Sequence, residues 1–218
     1  MGKVFLLLAG SLLIGFSGIA GTDSPHDKGF RFNFHIGMTG GLYGLPVEIG
    51  EQEDLIQEEA DEYVPSFTFG LELGTRFTLG RTASDKISVA LIVDWFGLSL
   101  GSKTIPADEE YERYTVGVLN GNLLEMGPSI TYALNNKMAI DLYYQVKPTV
   151  IVGVFLASVE VDFDDPSVGL SHAMGVTYRY KELAVGLEPN FGKINVLFED
   201  DGVKTSTSRF NINLGFKF

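Results

Sequence analysis

The residues that could do chemistry in this sequence are three histidines and a scatter of charged side chains set singly between apolar neighbours. The histidines are His26, His35 and His172, and there is no cysteine anywhere in the 218 residues. Thiol nucleophiles, zinc–thiolate sites and disulfides are therefore excluded. His172 follows Ser171 directly, the residue types of a nucleophile and its base. In an extended chain, however, successive side chains point to opposite faces, so adjacency does not make such a pair. His35 alternates with Arg31, Asn33 and Gly37, which places it in a buried polar network and not in the role of a base. The remaining candidates are Arg31, Glu72, Arg76, Asp94, Glu125, Asp141, Lys147, Arg179 and Glu188. They carry both signs, and each but Arg76, which follows Thr75, is flanked on both sides by apolar residues. Their expected chemistry is mutual charge pairing; no catalytic set and no cofactor site is expected.

The elements that carry these charges are strands. "FRFNFHIGM" (30–38), "SFTFGLELGTRFTLG" (66–80), "KISVALIVDW" (86–95), "NLLEMGPSITY" (122–132), "MAIDLYYQVKPTV" (138–150), "AMGVTYRY" (173–180), "LAVGLEPNF" (183–191) and "STSRFNINLGFKF" (206–218) all alternate apolar and polar residues with period two. Most span about 9–11 residues or more, enough for a tilted strand to cross a bilayer. Pro128, Pro148 and Pro189 fall inside three of them, a weakness in a regular ladder. The connections alternate in length. They are long over 42–64 and 101–113, through "VEVDFDDPS" (159–167) and around "EDDG" (199–202), and short at 80–86, "LNNK" and "KE". That layout predicts an up-and-down antiparallel barrel with long loops at one end and short turns at the other.

Alternation does not say which face is buried. A soluble lipocalin-type barrel also has eight strands, with its apolar face inward. Here the polar face mixes both charge signs with glycines (Gly37, Gly70, Gly74, Gly127, Gly175, Gly186, Gly215), as a narrow interior filled by side chains requires. Aromatics gather beside the short turns at Phe30, Phe77, Tyr132, Tyr178, Tyr180, Phe216 and Phe218, an interfacial girdle, with Tyr43, Trp95 and Phe96 as candidates for the opposite one. The N-terminus, "MGKVFLLLAGSLLIGFSGIAG", has one cation, a short apolar run and a small-x-small site at Gly18-Ile19-Ala20, the pattern of a secretory signal peptide cut near Ala20.

The ending Gly215-Phe216-Lys217-Phe218 resembles the C-terminal signature of Gram-negative outer-membrane barrels, and the whole architecture is similar to small OmpX/OmpA-type barrels. The resemblance implies that Gly215, Phe216 and Phe218 form the signal read by the barrel-assembly machinery. It also implies that the long loops lie outside the cell. The expected fold is all-β: an eight-stranded antiparallel up-and-down transmembrane β-barrel with short periplasmic turns and long acidic extracellular loops. Residues 1–20 would be the signal peptide, 21–29 a periplasmic tail and 30–218 the barrel, exported through the general secretory pathway to the bacterial outer membrane. Lipid and lipopolysaccharide would be its surroundings.

The formal net charge of −12 argues against nucleic acid as a partner. Most acidic residues fall in the long loops, for example "EIGEQEDLIQEEADEY" (48–63). These read as a solvated crown, with Ca²⁺ or Mg²⁺ bridging as the sharper alternative. "NFGKINVLFEDDGVKTSTSRFNI" reads as a hairpin with an Asp-Gly turn, and "VIVGVFLASVEVDFDDPSVGL" as an extension of the fifth and sixth segments. These last four segments would project beyond the membrane and offer a sheet edge to a protein partner. The function expected is a structural or surface-interaction barrel with a polar, closed lumen. A narrow channel for ions or small solutes is the first alternative. The second is a lipid A-modifying enzyme, although "LSHAMG" lacks the asparagine of the family's deacylase motif.

Overall fold

The structure is a computed structural model that describes residues 29–40, 43–44, 46–48, 64–105, 113–156, 161–163, 166–197 and 203–217. The signal peptide, tail residues 21–28, most of the acidic loop residues and Phe218 lie outside the described residues. Twelve strands are described: β1 (Gly29–Thr39), β2 (Pro46–Glu48), β3 (Phe67–Arg81), β4 (Ile87–Ile105), β5 (Tyr114–Asn135), β6 (Met138–Leu156), β7 (Val161–Phe163), β8 (Ser167–Tyr180), β9 (Leu183–Phe191), β10 (Lys193–Val196), β11 (Val203–Ser206) and β12 (Arg209–Lys217). β1 begins at Gly29, one residue inside the expected tail.

Eight of the strands close a ring. β1 pairs with β3, and pairing continues through β4, β5, β6, β8, β9 and β12 back to β1, every step antiparallel. The other four are continuations at one end: β10 pairs the start of β8, β11 pairs β10, β2 pairs β11, and β7 pairs the top of β6. The opposite end is made of tight turns, at 82–86, 136–137 and 181–182. In one of these Asn135 Oδ1 accepts from the Lys137 N–H at 2.9 Å.

Register places like with like. Phe34 lies between Leu214 and Leu71, and Leu142 between Ile130 and Val176, so apolar residues share one face all the way round. That face is outside. Leu142, Leu170, Val185 and Leu214 are exposed, whereas Glu72, Glu125, Lys147 and Glu188 are buried. Pro128 and Pro148 point outward within otherwise continuous ladders.

The structure departs from the expected pattern in two places. First, β3 pairs Leu73 with Phe96 and then Gly74 with Asp94, which leaves Trp95 as an extra residue on β4, and β6 pairs Thr149 with Asn122 and then Val146 with Met126, which leaves one extra residue on β5 beside Leu124. Leu124 has φ +53°, and Trp95, Phe96, Leu123 and Leu124 all face outward. These two bulges, side by side in register, reverse the alternation in both strands, since one inserted residue exchanges the two faces. Second, β4 runs on to Ile105, so residues 101–105 of the stretch expected as a 101–113 loop are ladder, and β5 starts at Tyr114, eight residues before the expected strand. A strict period-two reading stops at the bulges and misses the strands beyond them.

Candidate functional site in the barrel lumen

The inward positions in the lower and middle barrel are polar or small with Ile92 as an exception, and the side chains stack in three layers. Nearest the turns, Asp141 on β6 joins two arginines. Arg76 Nη1 lies 3.1 Å from Asp141 Oδ1, while Arg179 binds the same carboxylate through Nε and through Nη2 at 2.9 Å. Arg76 also donates to the Thr131 hydroxyl at 2.5 Å and to that of Ser88 at 3.2 Å. Beside them Arg31 Nη1 sits 3.6 Å from Asp94 Oδ2, and its guanidinium lies over the Tyr143 ring.

The middle layer centres on Lys147. Its ammonium lies 3.0 Å from Glu72, 2.8 Å from Glu125 and 3.0 Å from Glu188. Glu188 is bound further by the Tyr143 hydroxyl at 2.8 Å and by Asn190 and Asn211 at 3.0 and 3.2 Å. Gln145 donates to Asp94 at 2.5 Å. Five strands (β3, β5, β6, β9 and β12) thus meet at one ion cluster.

The upper layer holds His35, Asn211 and Arg209. His35 is buried over Gly70, and neither ring nitrogen has a hydrogen-bond partner among the described residues. Arg209 donates to Ser99 at 2.5 Å and to the Tyr43 hydroxyl at 3.3 Å, and that hydroxyl also accepts from Asn120 at 3.3 Å. Above this layer the lumen turns apolar. Tyr43, Val64, Val118, Ile151 and Ile194 form one buried cluster inside the barrel. Tyr43 is therefore a correction: it was a candidate for the outer girdle, yet it is fully buried in the lumen. The chain between β1 and β2 carries it inward, and the Gly44 N–H donates to the Ser206 carbonyl at 3.0 Å. Trp95 is also displaced from the expected girdle. It lies opposite the middle of β3, donating to Thr75 at 3.0 Å.

An exterior that is apolar and an interior that is charged invert a soluble barrel, and only a hydrocarbon solvent makes that arrangement favourable. The fold is a transmembrane β-barrel. It matches the expected class in strand number, antiparallel order and short turns at one end. No family model matches the sequence, and no curated protein matches it either. Similar solved structures include Ail, the attachment invasion locus protein of Yersinia pestis, in complex with the heparin analogue sucrose octasulfate. It is 10% identical, with 88% of this chain and 97% of that chain covered, at a TM-score of 0.49. A second crystal structure of Yersinia pestis Ail is 11% identical, with the same coverage and a TM-score of 0.44. Ail in a phospholipid bilayer nanodisc is 10% identical, covers 88% of this chain and 100% of that one, and has a TM-score of 0.34.

Ser171 and His172 point to opposite sides of the barrel wall. The Ser171 hydroxyl is inside, 2.6 Å from Thr149. His172 is outside, stacked between Tyr144 and Phe191, with Nδ1 2.7 Å from the Tyr144 hydroxyl. Of the expected assembly residues, Gly215 faces inward beneath Asn33 and Phe216 faces outward.

Several lumen residues were not singled out by sequence: Tyr143, Gln145, Thr131 and Arg209. All lie on the polar phase of their strands, so the signal existed. Only Tyr43 had none, because it sits on no alternating run.

The inward glycines are seats for these side chains. A Cβ on Gly74 would lie 1.9 Å from Asp94 Oδ1, and one on Gly175 would lie 2.2 Å from the Tyr143 ring. Replacing Gly175 with valine is expected to push Tyr143 off its cross-strand neighbour and away from Glu188. The expected destabilisation is about 1–3 kcal/mol, the range for overpacking, read from urea unfolding in lipid vesicles. Wild-type stability would show that the ring does not need this seat.

Proposed function

We propose that this protein is an integral barrel of the bacterial outer membrane whose closed lumen anchors a projecting β-sheet used for surface interaction. The observation that carries this reading is strand length. β5 has 22 residues and β4 and β6 have 19 each, against 9 in β9 and 9 in β12. A membrane crossing needs about 9–11, so β4, β5 and β6 overshoot the bilayer by roughly their own crossing length at the end away from the turns. The β4–β5 ladder runs to Ile105 and Tyr114, whereas the β3–β4 ladder ends at Gly101. Long ordered strands outside the bilayer serve no crossing requirement. They suit main-chain pairing with an extended partner segment.

The filled lumen supports anchoring over transport. Eight strands leave room only for side chains, and here a triple ion pair and an apolar cluster stand one above the other. Outer-membrane lipid and lipopolysaccharide would contact the apolar exterior, and the barrel-assembly machinery would insert the chain.

The test is to replace residues 102–116 with a short turn and compare both forms in intact cells. The trimmed barrel should still show the heat-dependent gel shift of a folded barrel but lose adhesion to the surfaces that the full protein binds. Retained adhesion would overturn the reading. In planar bilayers the wild-type protein is expected to give no discrete conductance steps; steps would replace the anchor with a channel.

A further inference from the structure

The outer wall of the barrel is not smooth. Across the upper parts of β3, β4 and β5 it is hollowed by an apolar groove of about 660 Å³. Its sides are Phe69 and Leu71 on β3, Leu98 and Leu100 on β4, and Leu119 on β5. Gly117 is its floor. The hollow comes from missing side chains, since above the bulges the outward face of β5 reads Gly117, Leu119, Gly121. A Cβ on Gly117 would meet nothing nearer than 3.5 Å, and one on Gly121 nothing within 4 Å. Neither glycine adopts left-handed backbone. Glycine inside a strand lowers its stability, and such a position often marks the close approach of a ligand. The inward Gly74 and Gly175 seat side chains of the lumen, whereas Gly117 and Gly121 leave space outside the wall. The groove also has a direction. At its lower end lies Phe34, which pairs with Leu214 near the middle of the nine-residue β12. At its upper end lie Ser102 and Val154, and Val154 is beyond Ile151, the last residue of β6 that pairs with β8. Ser102 is the one polar side chain among the described residues that line the groove.

We infer that this groove binds one acyl chain of a bilayer lipid, in the leaflet on the side away from the turns. Its lower end is continuous with the lipid-facing surface to which Phe34 and Leu214 belong, so a chain enters it without crossing a polar layer. An acyl chain lies along the membrane normal with its ester uppermost, which matches an apolar run that ends at a single hydroxyl. Within hydrocarbon no hydrophobic gain separates one apolar contact from another, so packing decides. A hollow left by absent side chains forfeits dispersion contacts, and a close-fitting chain restores them. An extended protein segment would need main-chain partners, but the β3–β4 and β4–β5 ladders beneath the groove are already paired. The site stands independently of the adhesion reading, which concerns the projecting strands.

The experiment uses the full barrel in phosphatidylcholine vesicles doped with a phosphatidylcholine that carries a diazirine midway along one acyl chain. After irradiation the cross-linked residues are mapped by mass spectrometry. Phe69, Leu98 and Leu100 should be labelled more than Met174, Val176 and Val185, which are exposed on the opposite wall. The expected excess is roughly tenfold, the preference that about a dozen additional carbon–carbon contacts give. Gly117→Leu should fill the groove and bring the two walls level, and Gly117→Ala should keep most of the excess. The heat-dependent gel shift shows whether each variant is folded, and the comparison of walls in the wild-type protein stands without them. Equal labelling of the two walls in the wild-type barrel, or an excess unchanged in folded Gly117→Leu, would overturn the inference. Equal labelling combined with lost adhesion in Gly117→Leu would overturn it too and give the groove to a protein partner.

Discussion

Lys147→Met is expected to destabilise the barrel by about 3–5 kcal/mol, the cost of removing one partner from a buried ion pair. The reason lies in the geometry around one atom. Glu72, Glu125 and Glu188 all lie within 3.0 Å of the Lys147 ammonium and are all essentially inaccessible to water. A methionine fills similar volume but leaves three carboxylates facing one another across the space that the cation held. The measurement is equilibrium unfolding by urea in lipid vesicles, followed through Trp95, the one tryptophan of the chain. Adding Glu125→Gln should recover part of the loss, because it removes one uncompensated charge; non-additivity of this kind marks residues that act as one unit. A loss under about 1 kcal/mol, the value of an exposed pair, would show that water reaches the cluster and that the lumen is not closed there.

Tyr43→Ala carries the second large effect, about 3–5 kcal/mol by analogy with other buried aromatics. The ring lies in the apolar cluster with Val64, Val118, Ile151 and Ile194, and the hydroxyl accepts from Arg209 and Asn120. Alanine would empty the ring's volume and deprive the Arg209 guanidinium of an acceptor. Tyr43→Phe isolates the second contribution and should cost only about 1 kcal/mol, the net worth of a hydrogen bond. Amide exchange should then separate the layers. Tyr43→Ala is expected to speed exchange in β2 and β11, which meet at Tyr43, and to leave the β6–β8 ladder around Asp141 protected. Equal acceleration in both would mean that the apolar cluster is no separate closure.

Much of the architecture was legible because a barrel wall repeats one rule. In "MAIDLYYQVKP" each residue faces opposite to its neighbours, so Asp141, Tyr143, Gln145 and Lys147 are assigned inward by parity alone, and the same rule serves the other strands. The high glycine content of the inward face was legible too, since a narrow interior cannot hold two large side chains on facing positions. Gly74 beneath Asp94 and Gly175 beneath Tyr143 are instances.

Parity is a local property, and it fails wherever the backbone inserts a residue. β4 takes an extra residue at Trp95 against β3 and β5 one beside Leu124 against β6, so the faces exchange above them and the upper halves of β4 and β5 look like loop in a period-two reading. Partnership is not local at all. Lys147 meets Glu72, Glu125 and Glu188 from strands far apart in sequence, at distances that depend on ring closure and stagger. Tyr43 enters the lumen because the chain between β1 and β2 folds inward against Ser206, a contact across more than 160 positions. The amino-acid sequence by itself thus determined the eight wall strands, their order and the polarity of each face below the bulges, because side-chain alternation and loop length encode them directly. Which charges pair and where the lumen turns from polar to apolar were decided by the tertiary structure alone, because each depends on how eight tilted strands are staggered when the sheet closes.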